Sequence, residues 1–221
     1  MVTSSVLLLL ESLVGRGAIA AGRTWSPPPK AAGSCAEAFA LATRRLGHRQ
    51  VEITAEENGQ LESAGLHRRR WDLDELARMA VLVGAAVAFD AASLATFVED
   101  CYRRGDTRER EAVLRALPLL PSSDWTVDIG VDACRSSVQP IFEAIACENP
   151  FPAQRFPELN FNQMVLKALF MDVRLARIVG LGARITADLR RMAAAYASER
   201  RAAGRSVPVD IHQLTDQEEP R

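Results

Sequence analysis

Three histidines, four cysteines and a scatter of acids are the residues here from which a catalytic or metal site would be built. His48, His67 and His212 lie far apart, and none has a second ligand three or four residues away, the spacing that puts two ligands on one helix face. Cys35, Cys101, Cys134 and Cys147 form no C-x-x-C pair, which points to buried thiols rather than a metal or redox centre. Asp72 and Asp74 are two residues apart, so a helix sends them to different faces; a magnesium–diphosphate site needs several carboxylates on one face. Gly180 and Gly182 begin a G-x-G pattern, but Ile185 stands where the third glycine belongs. No nucleophile elbow, phosphate loop or H-E-x-x-H helix occurs. No catalytic set, no metal and no cofactor is expected.

The unusual stretch is FEAIACENPFPAQRFPELNFNQMVLKALFMDVRLARIVGL, from Phe142 to Leu181. Its prolines and aromatics predict a stiff, sticky loop from Asn149 to Pro157, followed by a helix. At about 100° per residue, Asn160, Gln163 and Lys167 share a face with Met164 and Met171. Asn162 points into the apolar stripe of Val165, Leu166 and Leu169, where a lone amide needs hydrogen-bond partners. Two readings follow. In one, Asn162 ties the loop down by bonding its backbone. In the other, Asn160, Gln163 and Lys167 line a polar groove with Arg155 and Glu143, and Lys167 meets an anionic ligand or partner. The candidate binding residues are therefore Glu143, Asn149, Arg155, Asn160, Asn162, Gln163 and Lys167.

The elements that position them are helical. Leu7, Leu8, Leu10 and Leu13 predict a first helix ending near Gly15 and Gly17, and a proline-rich break follows at 26–29. Ser34 is positioned to cap a second helix that holds Phe39, Leu41 and Leu46 and stops before Gly47. Val51 and Ile53 alternate too briefly for a strand. Asp72 and Glu75, and again Asp106 and Glu109, have capping-box spacing, and Asp90 caps a clean stripe of Leu94, Phe97, Val98, Cys101 and Tyr102. Asp124 opens a helix although Thr126 to Val131 alternates like a strand; Pro140 opens another, and a last helix runs from about Thr186 to Ala203. The fold expected is all-α: stacked antiparallel helix pairs in a HEAT-like superhelix, one domain over 1–204, then a flexible tail over 205–221.

Bulk composition agrees. Hydrophobic residues make up 48% of the chain and charged residues 25%, enough for a core. A net charge of −1 leaves no footprint for nucleic acid, so the cluster at Arg68, Arg69 and Arg70 reads as a solvated edge. No window has the roughly 20 apolar residues of a spanning helix, and Val6 to Leu10 lacks the basic flank of a secretory signal. Peripheral membrane association through the N-terminal leucines ranks last for the same missing flank. A cytoplasmic protein is expected.

The run from Phe142 to Leu181, together with LRRMAAAYASERRAAGRSVP near the end, closely resembles the EboA family over about the last eighty residues. Ser136 and Ser137 follow Arg135 where relatives are expected to carry Thr-Asn, which weakens any role for that turn. The resemblance implies a bacterial, operon-encoded protein associated with traffic or export of a secondary metabolite. Its gene-cluster neighbours would include a prenyltransferase-like membrane protein, a sugar-phosphate isomerase-like protein and a TatD-type hydrolase, and its partners are expected among the proteins of that cluster, the prenyltransferase-like protein first. It transfers no catalytic residues. The leading expectation is a non-enzymatic adaptor or carrier that binds partner proteins, a small molecule, or both. The alternative is an enzyme acting on the same metabolite around Asn162, Gln163 and Lys167.

Overall fold

The computed structural model describes residues 2–27, 31–68 and 70–215, without the side chains of 2 and 3. Pro28 and Pro29 of the predicted break, Arg69 of the arginine cluster, and the acidic residues Asp216, Glu218 and Glu219 lie outside the described residues. Thirteen α-helices are present among the described residues: α1 Val2–Ala20, α2 Ala32–Ala40, α3 Ala42–Leu46, α4 Ala55–Ser63, α5 Leu73–Ala88, α6 Ala91–Arg104, α7 Thr107–Ala116, α8 Asp124–Arg135, α9 Gln139–Ala146, α10 Phe151–Arg155, α11 Glu158–Phe170, α12 Ala187–Ala202 and α13 His212–Thr215. Four short 3-10 turns complete the order. The fold is all-α. Val51 and Ile53 form no strand; the extended pairing there is a single antiparallel bridge between Gln50 and Asp72.

α5 is the axis. Its sequence is apolar nearly all round (LDELARMAVLVGAAVA), and such a helix has to be covered on every side. α1 lies along it on one flank and α7 on another, while α2 and α3 cover a third; α7 in turn packs on α9, and α8 on α9. Gly15 and Gly17 do not end α1, which continues to Ala20. Gly17 is instead a contact residue: a Cβ there would stand 2.9 Å from a Leu73 methyl, so its absence lets α1 approach α5 closely. Leu10, Leu13, Val14 and Ala18 are fully buried in that contact, leaving Leu8 exposed.

Several caps form as their spacing dictates. Asp90 accepts from the Ser93 N–H, Thr186 from the Leu189 N–H, and Asp106 with Glu109 closes a reciprocal capping box. Others do not. Ser34 lies inside α2, which starts at Ala32 with no side-chain cap, and the predicted helix through Leu46 is broken at Leu41 into α2 and α3. Asp72 occupies the N-cap position of α5 without capping it. Its carboxylate sits 3.6 Å from Arg108, and Glu75 is held by Arg68 and Arg115, so arginines from other elements outcompete the local box.

The expected loop at Asn149 to Pro157 contains α10. Pro152 falls in its first turn, where a missing N–H removes no helical bond, and Asn149 accepts the Phe151 N–H at 3.0 Å. Thr126 to Val131 is helical, within α8. Part of the stretch read as a flexible tail packs on the body: Ile211 and Leu214 are buried, and Asp210 accepts the Leu175 N–H at 2.7 Å. No described helix is long and apolar enough to cross a membrane.

Candidate functional site

The polar residues singled out around α11 do not converge. Among the described residues no side-chain hydrogen bond or ion pair joins any two of the seven. Asn149 is buried and donates to the carbonyls of Leu114 and Ala144, both at 3.0 Å, so it ties the turn before α10 to α7 and α9. That is the anchoring expected of Asn162. Asn162 itself is fully buried, and both its amide atoms lack a partner. Lys167 donates to the Cys134 and Ser136 carbonyls at 2.6 and 2.7 Å, satisfying the end of α8, and lies 5.4 Å from the Phe142 ring centre. Burial pushes its pKa below the ordinary lysine value. Glu143 is paired with Arg177 at 2.6 Å. Burial alone would raise its pKa, but Gln139 and Arg177 outweigh it and hold the carboxyl below its usual range. A carboxyl so held is ill suited to deliver a proton near neutral pH. Arg155 and Gln163 are exposed and Asn160 is half-buried.

A second cluster, not anticipated, lies at the start of α5. Asp74 and Arg78 are one helical turn apart and almost wholly buried, and their ion pair measures 2.9 Å. The same Asp74 oxygen accepts from the Thr43 hydroxyl at 2.7 Å and faces His48 Nδ1 at 3.1 Å. Arg78 also donates to Thr43 at 2.9 Å and to the Phe39 carbonyl at 3.2 Å, with its guanidinium 5.7 Å from the Phe39 ring centre. Burial pushes the Asp74 carboxyl up, but the bonds from Thr43, Arg78 and His48 more than offset it and leave its pKa lowered. Sequence reasoning passed over Asp74 because it asked only about paired acids. The available signal was a D-E-x-x-R run at the head of an otherwise apolar helix.

This cluster backs a groove between α2 and α6 of about 720 Å³. The α2 wall is built from Ala32, Gly33, Ala36 and Ala40, and small side chains leave open the space that larger ones would fill. Phe97 and Cys101 of α6 line the groove, and Phe39 and Glu109 connect it to Arg78, whose Nη2 lies 3.9 Å from the Glu109 carboxylate. On the exposed edge Arg104 pairs with Asp100 at 3.3 Å. The volume falls in the range of small-molecule sites, roughly 300–1,000 Å³. Clefts between α1 and α4, about 530 Å³, and beside Arg44 and Arg45, about 590 Å³, are smaller.

Burial, reinforced by the carboxylates of Glu109 and Asp100, pushes the Cys101 thiol up to about 12, so it stays protonated and is not a nucleophile. Cys134 and Cys147 are likewise raised to about 12 by burial. No group of three or more His, Cys, Asp or Glu side chains among the described residues is arranged to hold a metal ion.

A family model described as "Metabolite traffic protein EboA" matches residues 30–216, which include the groove, the Asp74 cluster and α11. No curated protein and no solved structure matches the chain.

Proposed function

The chain belongs to the EboA family, and on that premise we propose that it is a non-enzymatic carrier that holds a small amphipathic metabolite in the α2–α6 groove during its traffic. The observation that carries this reading is the groove itself: a small-molecule-sized space with an apolar wall of alanines and glycine, a charged edge and no activated nucleophile. The metabolite would be a bacterial secondary metabolite, passed between proteins of the same gene cluster, a prenyltransferase-like membrane protein among them. The reading is tested with N-phenyl-1-naphthylamine, a neutral dye that fluoresces in apolar sites. The protein should enhance its fluorescence saturably. Ala36→Trp, a change at an exposed position of the wall, should abolish the enhancement without lowering the melting temperature. A protein that leaves the dye dark, or a variant that binds it as well as the parent, would overturn the carrier reading.

A partner-binding role is favoured by a different observation. Leu159, Gln163, Leu166 and Phe170 fall within one narrow arc of α11, and Leu159 and Phe170 are 58% and 69% exposed. In this reading Gln163 belongs to a protein-binding face, with the HEAT-like stack as its support. An enzyme centred on Asn162, Gln163 and Lys167 is disfavoured, because Lys167 is already engaged by two carbonyls and Glu143 by Arg177.

A further inference from the structure

The polar groups of the groove differ in what they still have to offer, and the difference points to the head group of its occupant. Its hydroxyl donors are engaged locally: Ser93 donates to Asp90 at 2.8 Å and Thr96 to the Ala92 carbonyl at 3.0 Å. Arg104 pairs with Asp100 on the rim, where its side chain is 81% exposed and competes with water. Glu109 is the contrasting group, with only 15% of its side chain exposed. One carboxylate oxygen accepts the Asp106 N–H at 2.8 Å, whereas the other has Arg78 at 3.9 Å, beyond hydrogen-bond reach. Arg78 is held back by its bonds to Asp74, Thr43 and Phe39. Gly105 adjoins the first oxygen, not the second: a Cβ there would stand 2.9 Å from the Glu109 Cβ and 3.3 Å from the oxygen that accepts the Asp106 N–H. Glu109 thus brings to the groove's lining an oxygen to which no protein group donates a hydrogen bond.

We infer that the groove selects an apolar-tailed molecule whose head is a hydrogen-bond donor, an amine or a hydroxyl, and discriminates against a carboxylate head. Glu109 accepts the donor and repels a like-charged head, whereas the charge of Asp100 is offset by Arg104. Discrimination of this kind is strong where a sheltered polar group is left unpaired by the wrong ligand. This inference rests on the carrier reading and names the class of its ligand.

The test displaces N-phenyl-1-naphthylamine with octylamine, octanol and octanoate, which share one tail and differ in the head. Octylamine and octanol should displace the dye at concentrations at least about tenfold below octanoate. Glu109→Gln should shrink the octylamine-to-octanoate ratio to within about threefold. Octanoate displacing the dye as readily as octylamine, or an unchanged ratio in Glu109→Gln, overturns the head-group assignment while the carrier reading stands. Failure of the parent protein to bind the dye overturns both. Should Glu109→Gln not fold, the parent series decides by itself.

Discussion

α5 and α11 each carry polar side chains into the interior, and they do so in contrasting ways. On α5, Asp74 and Arg78 are buried as a set: one carboxylate oxygen is met by Thr43, His48 and Arg78 while the other has no partner, and the guanidinium reaches Asp74, Thr43 and the Phe39 carbonyl. On α11, Asn162 is buried alone, with neither amide atom partnered. One turn later Lys167 escapes the same fate because the end of α8 offers it two carbonyls. What distinguishes the two helices is their surroundings. α5 begins beside α3 and the loop at His48, which bring donors to it, whereas no donor or acceptor reaches the Asn162 amide. Buried polar groups mark a site when they are organised toward an open space, as Arg78 is behind Phe39 and Glu109. An isolated one is a local destabilisation.

Arg78→Met should separate the two helices most clearly. It leaves the Asp74 carboxylate buried without its cation, and a loss of about 3–5 kcal/mol is expected in urea denaturation. A loss below about 1 kcal/mol would mean that Thr43 and His48 suffice and that the pair is not a unit. The opposite sign is expected at the other site. Asn162→Leu removes two unpartnered atoms and should raise stability by roughly 1–3 kcal/mol, read as a higher melting temperature. A lower one would show that Asn162 has a partner, such as a buried water.

A surface pair sets the scale for both. Arg16 and Glu57 join α1 to α4 at 2.7 Å, with Arg16 half exposed, so Glu57→Gln should cost less than about 1 kcal/mol near neutral pH. The Arg16 bond, then the Thr54 N–H, lowers the Glu57 carboxyl from its ordinary 4.5 to about 2. Because the folded value is depressed, the stabilisation is complete above about pH 4.5 and is lost as pH falls toward 2. The stability difference between parent and Glu57→Gln should therefore shrink through that window and stay flat above it. A difference that grows on acidification would refute the pair.

The helical class and much of the segmentation are written in local spacing. Asp90, Thr186 and the Asp106–Glu109 box work as their spacing dictates because a cap and its target are three residues apart, and periodic apolar positions are a local property. The family was legible too, from the stretch between Phe142 and Leu181. Burial of Asn162 followed from its place in an apolar stripe. Its lack of partners did not, because hydrogen bonds in the interior depend on what folds against a helix. Thr43 reaches Asp74 across 31 residues and Lys167 reaches Cys134 across 33, separations that leave no periodic trace. Gly17 has the letter of a helix stop and the role of a contact, because Leu73 stands where its side chain would be. The α2–α6 groove likewise exists only in the tertiary structure: alanines on a helix are ordinary residues until a second helix packs against them and leaves the space between unfilled.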